Sequence, residues 1–504
     1  MKLAGRYYRP CEVQGLWNRI EDNQNHRKIP IRAKHVNLIV SHAFGWHTCR
    51  SERKQETYQE IMTICFFEDE GDRLFAPLTL TRPVDDLRIG ILTIREKWQR
   101  YLEIHDPQKI TRVGRTPLTL LYRCEAPGDG EEVLWINARW LPDTGAAELL
   151  SELESDVLVR RNGTIVAARL GPEESRKYRE LGTRAFTHAA ETEALPVTET
   201  TCGEMLDYLW DLFMKNEMEI RKDVALLVSA NGSAGGSMDE PADGSADGPA
   251  GGSADGPADG PVTNGNNLPD FPGAVLNSRE HIHTEEGVRV DPGAIIDASS
   301  GPVYLGAGCH VMCGAIIQGP VAIGRQSVVR MGTRIYAGTT IGPVCKVSGE
   351  IQNVIMYGHS NKAHDGYLGN SLIGEWCNLG ANTTTSNLKN NYKPIRIPEW
   401  STGHVYKTSI QFFGTVMGDH GKTAINTTLS AGTLCGVFCN IFTYGFPPKH
   451  VPSFSWVSPH HTEPYQFEKA METAEIMMQR RGVPLSRSYL LMMKHIFDRR
   501  NGVG

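Results

Sequence analysis

Branched aliphatic residues recur at every sixth position in the second half of the chain, and this spacing constrains the fold more than any other feature. The eight positions follow one another without interruption: Leu305, Val311, Ile317, Ile323, Val329, Ile335, Ile341 and Val347. A period of six matches neither an amphipathic α-helix nor the alternation of a half-buried strand. It is typical of a three-sided parallel β-helix, in which each hexad supplies one short strand and one corner. The sequence therefore predicts a β-helix whose inward aliphatic side chains stack from coil to coil.

The hexad spacing is interrupted between Glu350 and Tyr367 and resumes with Leu368. The interruption contains the stretch "MYGHSNKAHDGYLG", with His359 and His364. We expect this stretch to be a loop that leaves the β-helix, and rigid scaffolds favour such loops for catalytic groups. Three interpretations are open: a metal site, a general base or a polar loop. An imidazole suits a general base because its ordinary pKa of about 6.5 is close to neutral pH.

The first half of the chain has mixed α/β patterning from Met62 to about Leu227. Strands are predicted in "MTICFFED", "EVLWINARWL" and "VLVRRNGTIVAARL", and a long helix in "CGEMLDYLWDLFMKNEMEIRKDVALL". This pattern predicts an α/β domain. A shorter pair of helices, in "PYQFEKAMETAEIMMQRRG" and "SRSYLLMMKHIFDRR", is expected to cap the far end of the β-helix.

One segment of the α/β domain, "APLTLTRPVDDLRIGILTIREKW", concentrates charged side chains. They are Arg82, Asp85, Asp86, Arg88, Arg95 and Lys97. Guanidinium and ammonium groups bind phosphate oxygens. Carboxylates can hold the Mg²⁺ that phosphoryl transfer requires. A solvated amphipathic helix after a turn would explain the same composition.

Between the two halves, residues 229–267 consist mainly of Gly, Ser, Ala, Pro and Asp, without an aromatic, Lys or Arg residue. Such a segment cannot bury enough apolar area to offset its chain entropy, so we expect a disordered linker and two independently moving domains. The predicted organisation is an extension (1–61), an α/β domain (62–228), the linker (229–267), the β-helix (268–450) and a helical cap (451–504).

The overall composition excludes several classes of protein. A formal net charge of −6 gives no basic surface for nucleic acid. The 11 cysteines form no C-x-x-C pair, as zinc-ribbon sites would require. No apolar run reaches the roughly 18 residues of a membrane span, and the N-terminus lacks the pattern of a signal peptide. We expect a cytoplasmic protein with reduced cysteines.

The charged segment and the hexads together resemble the bifunctional enzymes that acetylate glucosamine 1-phosphate and then uridylylate it to UDP-N-acetylglucosamine. The similarity is closest to a divergent branch with "PLTLTRPVDDLRIGILTIREKW"-like sequence. It extends from about Met62 to the C-terminus, apart from the linker. It implies a nucleotidyltransferase-like α/β domain, a left-handed parallel β-helix, a homotrimer through residues 270–450, and acetyl-CoA, UTP and Mg²⁺ as reaction partners.

The resemblance also implies roles for individual residues. His364 matches the acetyltransferase base, and Arg330 an arginine that binds the sugar phosphate. The residues expected to hold the amino sugar are Tyr367, Asn378 and Asn387. In the α/β domain the expected phosphate ligands are Arg82, Arg88 and Lys97. The expected contacts to acetyl-CoA are Ala381, Gly418 and Asp419.

Two features depart from the family pattern. Gln352 stands where the family usually has a phosphate-binding lysine, for which Lys346 or Lys362 would have to substitute. The Gly-rich phosphate loop of ordinary members is also missing, and "LTLTRPVDDL" occupies its place.

Two alternative functions remain open. The His-x4-His spacing resembles γ-class carbonic anhydrases, although the nearest third histidine, His310, is displaced from the expected position. The chain could also be a non-catalytic β-helix assembly module.

Overall fold

The structure is a computed structural model that describes residues 63–115, 118–122, 127–128, 130–181, 186, 195–233 and 262–500. The predicted extension over residues 1–61 lies outside these described residues, and so does most of the predicted linker, residues 234–261. Within the described residues, every helix is too short or too polar to span a lipid bilayer.

A six-stranded sheet forms the centre of the α/β domain. The strands of this domain are β1 (Thr63–Phe67), β2 (Ile110–Val113), β3 (Val133–Asn137), β4 (Trp140–Leu141), β5 (Val157–Arg161), β6 (Thr164–Leu170), β7 (Val197–Glu199) and β8 (Glu204–Met205). The sheet order is β2-β1-β3-β6-β5-β7, while β4 pairs with β8. Strand β1 is parallel to both β2 and β3, so these three strands end at the same edge of the sheet.

The helices of this domain are α1 (Ile94–Tyr101), α2 (Thr144–Glu152), α3 (Pro172–Leu181) and α4 (Asp211–Ser233). Helix α1 begins at a capping box: the Thr93 hydroxyl accepts from the Glu96 N–H, and the Glu96 carboxylate accepts from the Thr93 N–H. The predicted strands and the long helix are confirmed. The helix begins at Asp211, because the preceding "CGEM" contains strand β8 instead.

The predicted parallel β-helix is also confirmed. Its face A contains Val275–Asn277, Ile295–Asp297, Ile316–Gln318, Arg334–Ile335, Thr384–Thr385 and Thr428–Leu429. Its face B contains Ile282–Thr284, Val303–Leu305, Val321–Ile323, Thr339–Ile341, Thr415–Met417, Thr433–Cys435 and His450–Val451. Its face C contains Arg289–Val290, His310–Val311, Val328–Val329, Lys346–Val347, Asn361–Lys362, Lys422–Thr423, Asn440–Ile441 and Ser455–Val457. All eight hexad aliphatics are at most 1% exposed, and each stabilises the fold by about 1.5–3 kcal/mol.

The histidine-containing stretch does not leave the β-helix, which corrects the expectation of a loop. Ile335 pairs with Ile351, and Ile351 with Leu368, so successive coils here are 16 and 17 residues long instead of 18. The chain is shortened by two residues at the corner between faces C and A, from Val347 to Ile351, and by one residue at the corner between faces A and B, where the strands Glu350–Met356 and Tyr367–Ile373 each run across both faces. The interrupted spacing therefore reflects shorter coils.

The true excursion lies later in the chain, between Thr385 and Thr415. It carries an antiparallel hairpin, formed by Arg396–Pro398 and Val405–Lys407. Residues 386–414 lack the hexad spacing, and no pattern in them predicts a hairpin.

The ends of the β-helix shift three predicted boundaries. The pair Thr263–Asn264 adds an antiparallel strand to Ile282–Thr284, and α4 continues to Ser233, so both ends of the predicted linker are structured. Face C continues to Val457, and Thr462–Pro464 adds a final antiparallel strand. The helical cap therefore begins after residue 451, with α5 (Phe467–Gln479) and α6 (Arg487–Arg499).

Helix α4 lies along face B and packs across several coils. Its residues Ile220, Val224 and Leu227 form one apolar cluster with Tyr304 and Ala322 of the β-helix. The side chain of Asn216 donates to the carbonyl of Gly338 at 2.8 Å and to the hydroxyl of Thr340 at 3.0 Å. Residues 59–504 form one compact unit. This packing contradicts the expectation that the two domains move independently.

Candidate functional site

His364 lies on an exposed turn at the corner where face C leads into face A. The turn follows the strand Asn361–Lys362 and precedes the strand that begins at Tyr367. The guanidinium of Arg330, which is two coils away, donates to the carbonyl of Ala363 at 3.2 Å. The candidate base and the candidate phosphate ligand therefore share one corner of the β-helix.

Tyr367 belongs to a hydrogen-bonded cluster directly after this turn. Its hydroxyl accepts from the side-chain amide of Asn387 at 2.9 Å and donates to the Gln352 side chain at 3.3 Å. The same Asn387 amide donates to the side chain of Asn370 at 2.7 Å. Burial raises the pKa of the Tyr367 hydroxyl, so it stays protonated at neutral pH. The arrangement offers a hydroxyl and amides, groups that can hydrogen-bond the hydroxyls of a sugar.

Asn378 and Ala381 lie one coil further along. Asn378 is exposed and in register with Asn361 on face C, which places Ala381 beside His364 at the C–A corner. The carbonyl of Ala381 accepts from the Asn426 N–H at 2.8 Å. The structure therefore groups six of the expected site residues on neighbouring coils: Arg330, His364, Tyr367, Asn378, Ala381 and Asn387.

Lys362 does not reach solvent, so it cannot be the substitute phosphate ligand considered from the sequence. Its side chain is 0% exposed, and its ammonium donates to the carbonyls of His364 at 2.5 Å and Asp365 at 2.8 Å. Burial lowers the pKa of Lys362 from 10.5 to about 8, and the nearby Asp365 only partly opposes this. Lys346, the other substitute, is exposed on face C.

The lowered pKa of Lys362 predicts a pH dependence of stability. Below pH 8 the amine is charged in both the folded and the unfolded chain, so folding carries the full cost of burying it. Between about pH 8 and 10.5 the folded protein loses this proton first, and the unfolded chain binds more protons. We expect the contribution of Lys362 to the free energy of unfolding to rise over this range. Urea unfolding of wild type and Lys362→Met at pH 7 and pH 9.5 measures it, and an equal pH response of both proteins would contradict it.

His359 is a buried corner residue and not a partner of His364. Its φ of +58° places it in the left-handed region, and its ring stacks on Trp376 at 4.0 Å. The stack continues along the same corner through His420, Phe438 and Phe454. Burial lowers the pKa of His359 to about 4, so the ring is neutral at cellular pH.

The zinc interpretation does not fit this geometry. His359 lies at the corner between faces B and C, whereas His364 lies at the corner between faces C and A. In the described part of the chain, no three His, Cys, Asp or Glu side chains are grouped to hold a metal ion. The carbonic-anhydrase resemblance therefore has no support in the structure.

Arg82 has partners inside the protein, which corrects its assignment as an open phosphate ligand. Its side chain is 3% exposed, and one terminal nitrogen lies 2.7 Å from each carboxylate oxygen of Asp419. Its other terminal nitrogen lies 3.4 Å from Glu375. Thr81 adds a hydroxyl bond to Asp419 at 2.7 Å. A charged residue of the α/β domain thus neutralises two carboxylates of the β-helix.

Arg88 and Lys97 are likewise directed into the protein. Lys97 is 1% exposed and lies 2.8 Å from Glu219 and 2.5 Å from Asp223 of α4. Burial alone would lower the pKa of Lys97, but the two carboxylates raise it, so this lysine stays charged. The Arg88 guanidinium donates to the carbonyl of Ile91. These two cations fasten the charged segment to its own domain.

Gly418 and Asp419, the expected acetyl-CoA contacts, lie on a different corner from His364. Both are buried at the corner between faces B and C, and Asp419 accepts the Glu375 N–H at 2.8 Å besides its bonds to Arg82. Arg82 thus already occupies both carboxylate oxygens of Asp419, so this side chain is not open to a cofactor. Gly418 and Asp419 therefore form a structural corner of the β-helix, and the structure does not support their assignment as acetyl-CoA contacts.

Sequence reasoning missed a polar cluster at the carboxyl edge of the α/β sheet. Glu68 and Asp69 follow β1 directly, and Arg139 follows β3. Arg139 binds Asp69 at 2.6 Å, and Arg115, which follows β2, binds Glu68 at 2.8 Å. Burial raises the pKa of the neighbouring Asp72 to about 6. Open α/β sheets bind ligands at this edge. The polar residues that directly follow the parallel strands could therefore have indicated this cluster from the sequence.

Comparisons with known proteins agree with this architecture. The family model "Sugar nucleotidyl transferase" matches residues 64–231, a third of the chain. The bifunctional protein GlmU of Methanococcus vannielii is 33% identical over 114 residues, which are 23% of this chain and 26% of that protein. The uncharacterized acetyltransferase YaiX of Escherichia coli is 27% identical over 154 residues, which are 30% of this chain and 65% of that protein.

Among solved structures, the Arabidopsis UDP-N-acetylglucosamine acyltransferase is 16% identical and covers 46% of this chain and 98% of its own. The TM-score of this match is 0.17. The chain spans about a quarter of the length of the GlmU proteins that it matches. Residues 64–231 therefore match the sugar nucleotidyl transferase domain family, and the chain is similar to GlmU proteins over 21–23% of its length.

Proposed function

We propose that the β-helix transfers an acetyl group from acetyl-CoA to the amine of glucosamine 1-phosphate. The observation that carries the proposal is the convergence of His364, Arg330, Tyr367 and Asn387 on neighbouring coils. His364 removes a proton as the amine nitrogen attacks the thioester carbonyl. The tetrahedral intermediate then collapses, its carbon–sulfur bond breaks, and the CoA thiolate takes the proton from His364. Arg330 holds the phosphate, while Tyr367 and Asn387 orient the sugar.

We propose further that the α/β domain transfers a uridylyl group from UTP to the resulting sugar phosphate. A phosphate oxygen of the sugar attacks the α-phosphorus of UTP and displaces pyrophosphate. The match to sugar nucleotidyl transferases and the polar carboxyl edge of the sheet support this step. The described carboxylates at that edge, Glu68, Asp69 and Asp72, are ion-paired with Arg115 or Arg139. Carboxylates that are already neutralised by guanidinium groups do not fit a Mg²⁺ site.

A substrate panel tests the proposal. Purified protein is incubated with acetyl-CoA and amino-sugar 1-phosphates, then with each nucleoside triphosphate, and products are identified by mass. We expect N-acetylglucosamine 1-phosphate first and UDP-N-acetylglucosamine after UTP. Acetylation without nucleotidyl transfer would overturn the second half alone. Product formation in neither step would favour the non-catalytic assembly module.

Exposed apolar side chains on one side of the β-helix support the proposed homotrimer. On face A and the adjoining C–A corner, large apolar residues are 42–67% exposed: Val275, Ile316, Met331, Ile425 and Phe442. Exposed apolar groups of this kind mark protein contacts, and closed symmetry is the usual outcome for one chain. We expect a trimer at micromolar concentration by light scattering. A monomer would contradict this prediction.

The packing between the domains predicts that they stay together without a covalent link. A protease site inserted between residues 234 and 261 allows the chain to be cut there. Because Arg82, Asn216 and the apolar side of α4 bind the β-helix, we expect both pieces to elute together in size-exclusion chromatography. Separation of two folded pieces would contradict the prediction.

A further inference from the structure

Lys362 occupies a position that the β-helix normally fills with an aliphatic residue. On face C, Val329 pairs with Val347, and Val347 pairs with Lys362. Both valines belong to the inward hexad series and are 0% exposed, as Lys362 is. Burying an amine costs free energy unless it is hydrogen-bonded, so this substitution in an apolar stack needs a compensating role.

The ammonium of Lys362 bonds the turn that carries His364. It donates to the carbonyls of His364 and Asp365, at 2.5 and 2.8 Å. These bonds approach the turn from inside the β-helix. The side chain of His364, by contrast, is exposed on the outside. Lys362 therefore fixes the backbone of His364 without occupying the space in front of the imidazole.

The two neighbouring carbonyls of the turn are held as well. Arg330 donates to the carbonyl of Ala363, and the backbone N–H of Glu350 donates to that of Gly366 at 3.2 Å. Gly366 has φ of +120°, and a Cβ there would lie 2.2 Å from the carbonyl oxygen of Thr383. Four consecutive carbonyls thus have donors, and the last residue of the turn has to be glycine. This many hydrogen bonds to one exposed turn indicate that its backbone has to hold a defined position.

We propose that Lys362 is a positioning residue, which holds the backbone of His364 from within the β-helix so that the imidazole meets the substrate amine. The proposal rests on the proposed acetyl transfer. A misplacement of about 1 Å can cost on the order of 10²-fold in rate. Lys362 therefore acts on the chemical step while it touches neither substrate nor cofactor.

Lys362→Met and Lys362→Leu test the role in the full-length protein. Leucine copies Leu379, the inward residue of the next coil. Lys449→Met is the matched control, because the Lys449 ammonium also donates to two carbonyls, those of Arg396 and Ala431, but away from the His364 turn. The measurements are kcat and KM for acetyl transfer, the melting temperature, and hydrogen exchange of the amides of Glu350 and residues 363–366.

We expect both Lys362 variants to lose about 10- to 100-fold in kcat, with KM close to wild type, a melting temperature no lower than that of wild type, and faster exchange in the turn. Lys449→Met should change none of these. Unchanged kcat in a folded variant would overturn the proposal, whether or not exchange accelerates. A parallel loss of kcat and melting temperature in both variants would also overturn it. If wild type itself does not acetylate, the proposed function fails, and slow exchange in the turn would then have a purely structural cause.

Discussion

Replacing His364 with alanine is expected to lower the rate of acetyl transfer by about 10²–10⁴-fold, the usual contribution of a general base. The side chain is exposed on its turn, so its removal leaves the β-helix core intact. Uridylyl transfer to preformed N-acetylglucosamine 1-phosphate should stay near the wild-type rate, because we propose that the α/β domain carries out that step. Both rates can be followed on the same preparation by product mass.

His359→Phe is the matched control for this experiment. The phenyl ring can keep the stack on Trp376, and neither ring nitrogen of His359 has a hydrogen-bond partner among the residues that the structure describes. We therefore expect acetyl transfer close to wild type. A zinc site would instead make both substitutions equally damaging and release bound metal from each, which elemental analysis detects. Equal, mild effects of both would sink the assignment of His364 as the base.

Arg82→Ala is expected to destabilise the protein by about 3–5 kcal/mol, the cost of leaving a buried charge without its partner. Asp419 is 3% exposed and would lose its cation, and Glu375 would lose a second contact. Arg82→Met combined with Asp419→Leu should recover much of the loss, because the more deeply buried carboxylate is then removed together with its cation. The free energy of unfolding from urea titration measures both variants.

An exposed ion pair of the same domain serves as the control. Arg160 binds Glu199 at 2.6 Å, but both side chains are more than 40% exposed. Such pairs contribute about 0–1 kcal/mol, so Arg160→Ala should change the free energy of unfolding by no more than that. A similarly small effect of Arg82→Ala would show that the buried pair does not hold the domains together.

The β-helix could be predicted from the sequence because its inward positions accept almost only aliphatic side chains. Ile317 and Ile335 are an example: they pair on adjacent coils, and both side chains are buried. The same rule misled at residues 350–367, because a coil shortened at its corner breaks the six-residue spacing while the strands stay in register. Spacing alone cannot separate a shortened coil from a loop.

The placement of the candidate site residues follows in part from the repeat. His364 and Tyr367 lie three residues apart, and Asn387 follows on the next coil and contacts Tyr367, while the roles of these residues stay predictions. The partner of Arg82 could not be predicted from the sequence, because an arginine that binds a phosphate looks the same in a sequence as one that binds a carboxylate. Its partner Asp419 is 337 residues away in the chain, and only the folded structure shows them in contact.

Helix α4 constrains how a protein of this design can evolve. Solenoids commonly gain and lose whole repeats, because each coil contacts only its neighbours. Here a single helix touches face B at Tyr304, Ala322 and Thr340, which belong to three successive coils. Duplicating or deleting a coil between these points would move one contact by about 4.8 Å and break the match. Gain or loss of coils should therefore be confined to the part of the β-helix that α4 does not contact. The number of coils that contact α4 should stay fixed.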